Sequence, residues 1–136
     1  MAENTFKLTI VTPERIFYDG DVEMVEMNTT EGEIGVYKGH VPTTVIVNPG
    51  VLKIHEEAEV KKAALHSGFV EILEDKVTIL AEVIEWPDEI DFNRAEEARI
   101  KAERHIEDSE EGIDIDKEKL ALLRAITRIS ASDKNK

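Results

Sequence analysis

Phe6-Lys7-Leu8-Thr9-Ile10-Val11 alternates large apolar with polar residues, and Thr12-Pro13 closes the run. A period of two, ended by a residue without an N–H, reads as a half-buried strand. Further β-rich runs follow at 22–27, 34–36, 43–47, 51–54, 60–65, 69–73 and 77–83, parted by Gly, Pro, Asn or clustered acids. Short strands at such intervals predict an antiparallel sandwich or barrel. Glu74-Asp75 lies between two of these runs and reads as a hairpin turn, because carboxylate side chains tolerate turn geometry. No segment of this half is long enough for the crossover helix that a parallel sheet needs.

The period changes after Trp86-Pro87-Asp88. Asp91 is placed to cap a helix from Phe92, on which Ala95, Ala98, Ala102 and Ile106 recur at three- and four-residue steps. Small side chains bury little area, so this stripe favours docking without making it irreversible. Residues 109–114 read as a loop. Asp116 is then expected to cap a second helix, over 117–130, whose stripe is Leu122, Ile126 and Ile129 flanked by Ala125. Residues 132–136 are expected to fray. The chain thus reads as α+β, an antiparallel β-sandwich over residues 1–86 followed by a C-terminal antiparallel two-helix hairpin over residues 87–136.

Composition narrows the function. The net charge of -13 opposes nucleic-acid binding, which draws on cations that neutralise phosphates. The charge is uneven: residues 117–136 carry 6 Lys and Arg against 2 Asp and Glu, whereas residues 1–86 carry 7 against 16. A basic helix ending an acidic chain can pair with acidic neighbours in its own molecule or on a partner. With no cysteine, no run of 18 apolar residues and no basic-then-apolar leader, a soluble protein of the cytoplasm, or of a membrane's cytoplasmic face, is expected.

Catalytic chemistry finds no constellation. There is no phosphate-cradling P-loop, and Gly32, Gly35 and Gly39 have the wrong spacing for a dinucleotide fingerprint. His40, His55, His66 and His105 lack metal-ligand spacing, and His40 in its Gly/Pro loop reads as a hydrogen-bonded structural histidine. The arginines say more, because Arg15 alone precedes the junction, while Arg94, Arg99, Arg104, Arg124 and Arg128 follow it. Arg94 and Lys101 share a face of the first helix, and Arg124 and Arg128 share a face of the second. Two readings stand: cations of both helices meet one anion, a task for which the planar guanidinium is suited, or they pair with acids on a solvated hairpin.

Glu31-Gly32-Glu33-Ile34-Gly35-Val36-Tyr37-Lys38-Gly39-His40-Val41-Pro42, Ser67-Gly68-Phe69-Val70-Glu71-Ile72, Val77-Thr78-Ile79-Leu80-Ala81 and Ile90-Asp91-Phe92-Asn93-Arg94-Ala95 occur in that order. Together they resemble the epsilon subunit of bacterial F-type ATP synthase, from about Phe6 to Arg128. The resemblance implies a non-catalytic central-stalk subunit, peripheral on the cytoplasmic face of the bacterial cell membrane. Its sandwich would bind the gamma subunit and the c-ring, coupling rotation to ATP synthesis. Its hairpin would permit catalysis when folded down, and when extended would reach the catalytic alpha and beta subunits and inhibit ATP hydrolysis.

The resemblance also implies ATP as a regulatory ligand, with magnesium arriving on the nucleotide rather than on a protein metal site. Ile90, Asp91, Arg94 and Ala95 match an I/L-D-x-x-R-A motif, Arg124 and Arg128 fall at the second-helix positions, and Glu85 matches a contributing acid. Lys101 stands where nucleotide-binding members have arginine, keeping the charge and losing the fork. Tyr37-Lys38 replaces the more usual Leu-Pro, and His66 stands where a small residue is common. The alternative within the resemblance is a purely structural rotor coupler that senses no nucleotide.

Overall fold

A computed structural model describes residues 4–108, 112 and 114–132. Eight strands come first: β1 (Phe6–Val11), β2 (Ile16–Val22), β3 (Met24–Thr29), β4 (Gly32–Tyr37), β5 (Thr43–Ile46), β6 (Gly50–His55), β7 (Val60–Ile72) and β8 (Lys76–Glu85). They form one sheet in the order β2-β1-β8-β7-β6-β3-β4, with β5 on the free edge of the second half of β7. A Thr29↔Val47 bridge brings the far strands back beside β5, so the sheet folds over as a β-sandwich. Between its layers lie Leu8, Ile10, Val25, Met27, Leu52, Ile54, Val70, Ile72 and Ile79, all essentially without solvent contact. Their period of two follows from strand side chains alternating between faces.

The structure departs from the sequence expectations at several strands. β2 carries Asp19-Gly20-Asp21, a composition that resembles a turn, yet pairing with β1 supplies its ladder. The run at 22–27 is divided between β2 and β3, where Glu23 donates its N–H to the His55 carbonyl at 2.8 Å. The runs at 60–65 and 69–73 belong to one long strand, β7. β1 and β8 pair in parallel, Lys7↔Lys76 to Val11↔Leu80. That needs no crossover helix, because the six intervening strands make the connection. The Glu74-Asp75 turn stands as expected, closed by Leu73 N–H to the Lys76 carbonyl at 2.8 Å.

β7 bends at an irregularity where Leu65↔Ile84 gives way to Ser67↔Val83, leaving His66 as the extra residue of a β-bulge. Gly68 is required there: its φ is +143°, and a Cβ would lie 2.2 Å from the Leu80 carbonyl oxygen.

Two helices follow a 3₁₀ turn at Pro87–Glu89: α1 (Phe92–Asp108) and α2 (Ile115–Ala131). Asp91 caps α1 as expected, its Oδ1 accepting from the Arg94 N–H at 3.1 Å. The cap of α2 is Asp114 rather than Asp116, accepting from Lys117 N–H at 3.2 Å. Asp116 instead lies in the first turn, where its charge suits the helix dipole. Ala95 and Ala102 of α1 and Ala125 of α2 are buried, whereas Ala98 and Ile126 face solvent. Most of the expected stripes therefore stand, with Ala98 and Ile126 outside the buried face and Thr127 and Ala131 added to it on α2. Ser132 is buried and gives its N–H to the Arg128 carbonyl at 3.0 Å, so the fraying expected from 132 does not begin there. Residues 109–111 and 113 of the expected loop, and 133–136 of the expected frayed end, lie outside the described residues. The helices pair with each other and α2 rests on β6 and β7, so the hairpin is folded against the sandwich.

Candidate functional site

The junction between sandwich and hairpin is held from the sandwich side. Trp86 stacks on Phe17 of β2 with ring centroids 4.1 Å apart and meets Tyr18 edge-on at 6.5 Å. Glu89 turns back to accept the Trp86 N–H at 2.8 Å and the Arg15 guanidinium at 2.8 Å. The Arg15 bond, with that N–H, holds the Glu89 carboxyl below its ordinary range. Ile90 ends the 3₁₀ turn, its N–H reaching the Pro87 carbonyl at 3.3 Å.

Glu85, the last residue of β8, is the centre of the site. Its Oε1 accepts from Arg128 Nε of α2 at 2.7 Å and from His66 Nε2 of β7 at 3.0 Å. Burial pushes its carboxyl up, but the hydrogen bonds from His66 and Arg128 and their charges outweigh burial and hold it below the usual range. Two candidates from opposite ends of the sequence, Glu85 and Arg128, are thus brought into direct contact.

The others are placed around them. Asp91 and Arg94 meet only through the helix cap, with the Arg94 side chain in solvent. Ala95 is buried and Ile90 half-buried. Lys101 is exposed on α1. Arg124 is half-buried on α2, and among the described residues its buried Nε has no hydrogen-bond partner. Among the described residues Arg94, Lys101 and Arg124 make no ion pair, whereas Arg99 is taken by Glu96 at 3.1 Å and by Glu103. His105 of α1 joins Glu118 of α2 at 3.0 Å, tying the helices together. The cations divide accordingly, since Arg99 follows the solvated-hairpin reading and three others keep their donors unspent.

His66 is the residue of this site that the sequence marks only as a departure from the family pattern. Its only signal was its size at a position where a small residue is common. The structure places it in a strand, fully buried, with Nδ1 unpaired among the described residues. His40 bonds the Val41 carbonyl through Nδ1 at 2.7 Å, the structural role expected of it.

Residues 5–87 match the family described as ATP synthase, Delta/Epsilon chain, beta-sandwich domain, and residues 88–133 match ATP synthase, Delta/Epsilon chain, long alpha-helix domain. The ATP synthase epsilon chain of Syntrophomonas wolfei is 42% identical over 135 residues, covering 98% of each chain. That of Ruminococcus albus is 39% identical over 130 residues, covering 95% of this chain and 97% of the other. A chain in the Euglena gracilis mitochondrial ATP synthase (OSCP/F1/c-ring in rotational state 1) shares the fold with a TM-score of 0.82 at 22% identity, over 93% of this chain and 81% of that one. With sandwich and helices both matched, the chain belongs to the delta/epsilon chain family of ATP synthase, alongside the bacterial epsilon chains.

Proposed function

We propose that this chain is a non-catalytic rotor subunit that couples rotation to ATP synthesis and restrains ATP hydrolysis through a hairpin whose docking responds to ATP. The Arg128–Glu85 ion pair carries this reading. It joins α2 to the last strand residue before the junction, so a ligand held by the arginines of the hairpin acts directly on docking. ATP, bringing its magnesium, sits between the helices, with Arg94, Lys101, Arg124 and Arg128 toward the phosphates and Ile90 and Ala95 toward base or ribose. A ligand moves such an equilibrium only by its difference in affinity for the two states, and full reversal from 1:99 to 99:1 takes about 5.5 kcal/mol. Within the assembled synthase, scarcity of ATP lowers the docked share of the hairpin, and the catalytic alpha and beta subunits capture the extended form.

The sandwich supplies the rotor contact. Ile46, Phe69, Leu80 and Val11 are register partners across β5, β7, β8 and β1, so their side chains share one face. Ile46 is 61% exposed, Phe69 46% and Leu80 38%, an apolar band that a monomer leaves in water at a cost. This band docks the gamma subunit, while the c-ring holds the complex at the cytoplasmic face of the membrane as a peripheral assembly. No described helix is long and apolar enough to cross a membrane.

Calorimetric titration of ATP into the full chain and into Arg94→Ala tests the sensing. Heat and a thermal upshift in the first, lost in the second, support it. Neither at millimolar ATP leaves the purely structural coupler. Deleting residues 88–136 from the assembled synthase then separates the two further, since only a regulator gains hydrolysis on losing its hairpin.

A further inference from the structure

His66 is the bulged residue of β7, and a bulge re-aims the side chain it carries. Its imidazole is fully buried and points Nε2 at Glu85 Oε1, the same oxygen that takes Arg128 Nε. An ionised carboxylate only accepts, so Nε2 bears the proton and donates. Nδ1 meets no partner among the described residues, so the bond to Glu85 is the one that the imidazole makes there. Glu85 itself is only about one quarter exposed and depends on its donors for compensation. Its carboxylate is thereby set facing α2 before any ligand arrives.

We propose that His66 is a positioning residue. By holding Glu85 toward Arg128 it completes an internal latch, His66–Glu85–Arg128, that docks the hairpin on the sandwich in the absence of nucleotide. The latch goes beyond the ATP reading, because it acts whether or not ATP binds; nucleotide then adds to an equilibrium already biased toward the folded form. The charged groups that bear on it are Arg128 on α2 and, from the junction, Glu89, which is itself engaged by Arg15. Two donors on one carboxylate oxygen form a small network, in which removing either member loosens the other.

The test uses the full chain with spin labels on cysteines introduced at Glu31 and Lys119, both exposed, in a protein with no natural cysteine. Distances are measured without nucleotide. Wild type is expected to give a single, narrow distance distribution, that of the docked hairpin. His66→Leu fills the space without a donor and is expected to lower the docked-to-undocked ratio about tenfold. His66→Gln keeps an N–H donor and restores docking. Adding His66→Leu to Arg128→Ala lowers the ratio no further, since both act through Glu85. The proposal is overturned if wild type is undocked without nucleotide, if His66→Leu docks like wild type, or if its effect adds in full to that of Arg128→Ala. Far-UV circular dichroism confirms that each variant keeps its strands, and a His66→Leu chain that loses them while His66→Gln keeps them returns the decision to the Gln variant's distance.

Discussion

Arg128, 43 positions beyond Glu85, donates its Nε–H to Glu85 Oε1 at 2.7 Å. This pair makes the position of α2 sensitive to one carboxylate at the end of a strand. Because the Glu85 carboxyl lies below its ordinary 4.5, the stabilisation it gives is fully present above that pH and is lost as pH falls through the lower folded value. Lowering the pH below 4.5 is therefore expected to release the hairpin before the sandwich melts. Label distance followed against pH checks this, with Glu85→Gln giving a flat profile.

In the proposed ATP site, a guanidinium in place of the exposed Lys101 ammonium would add a second, parallel hydrogen bond to phosphate. Lys101→Arg is expected to tighten ATP binding about fivefold, near 1 kcal/mol. Calorimetry on the full chain reads this, and an unchanged affinity would place Lys101 outside the ligand site.

The Phe17–Trp86 stack at 4.1 Å anchors the junction. Trp86→Ala is expected to destabilise the chain by about 2 kcal/mol, and Trp86→Phe by less because a ring remains to stack. Urea unfolding should be followed by circular dichroism, since Trp86 is the only tryptophan.

Gly68→Ala combines a positive φ with a contact of 2.2 Å against backbone. A loss of about 3 kcal/mol is expected, read as a drop in the unfolding midpoint. Gly32 also has a positive φ but open space around it, so Gly32→Ala is expected to cost less.

Phe69→Asp tests the exposed band. The residue stands 46% exposed, so folding is expected to change by no more than about 0.5 kcal/mol. Binding to purified gamma subunit is expected to weaken about 30-fold, as for a central interface residue. Surface-immobilised gamma with the variant in solution measures both affinity and its loss.

Much was written locally. The alternation in Phe6–Val11, the turn at Glu74-Asp75, the change of period after Pro87 and the Asp91 cap each depend on residues a few positions apart, so sequence alone carries them. The order of the motif blocks likewise named the family. Long-range pairing decided the rest. β2 is a strand because β1 lies beside it, and β1 finds β8 in parallel only once the sheet has folded. How far each helical stripe is buried depended on how α1 packs on α2 and α2 on β6 and β7, which buries Ala95, Ala102 and Ala125 and leaves Ala98 and Ile126 exposed. The same docking turned His66 from a departure from the family pattern into a donor to Glu85, because a bulge and a helix from distant parts of the chain meet on one oxygen. Spacing reports which side chains share an element; only packing decides which elements share a carboxylate.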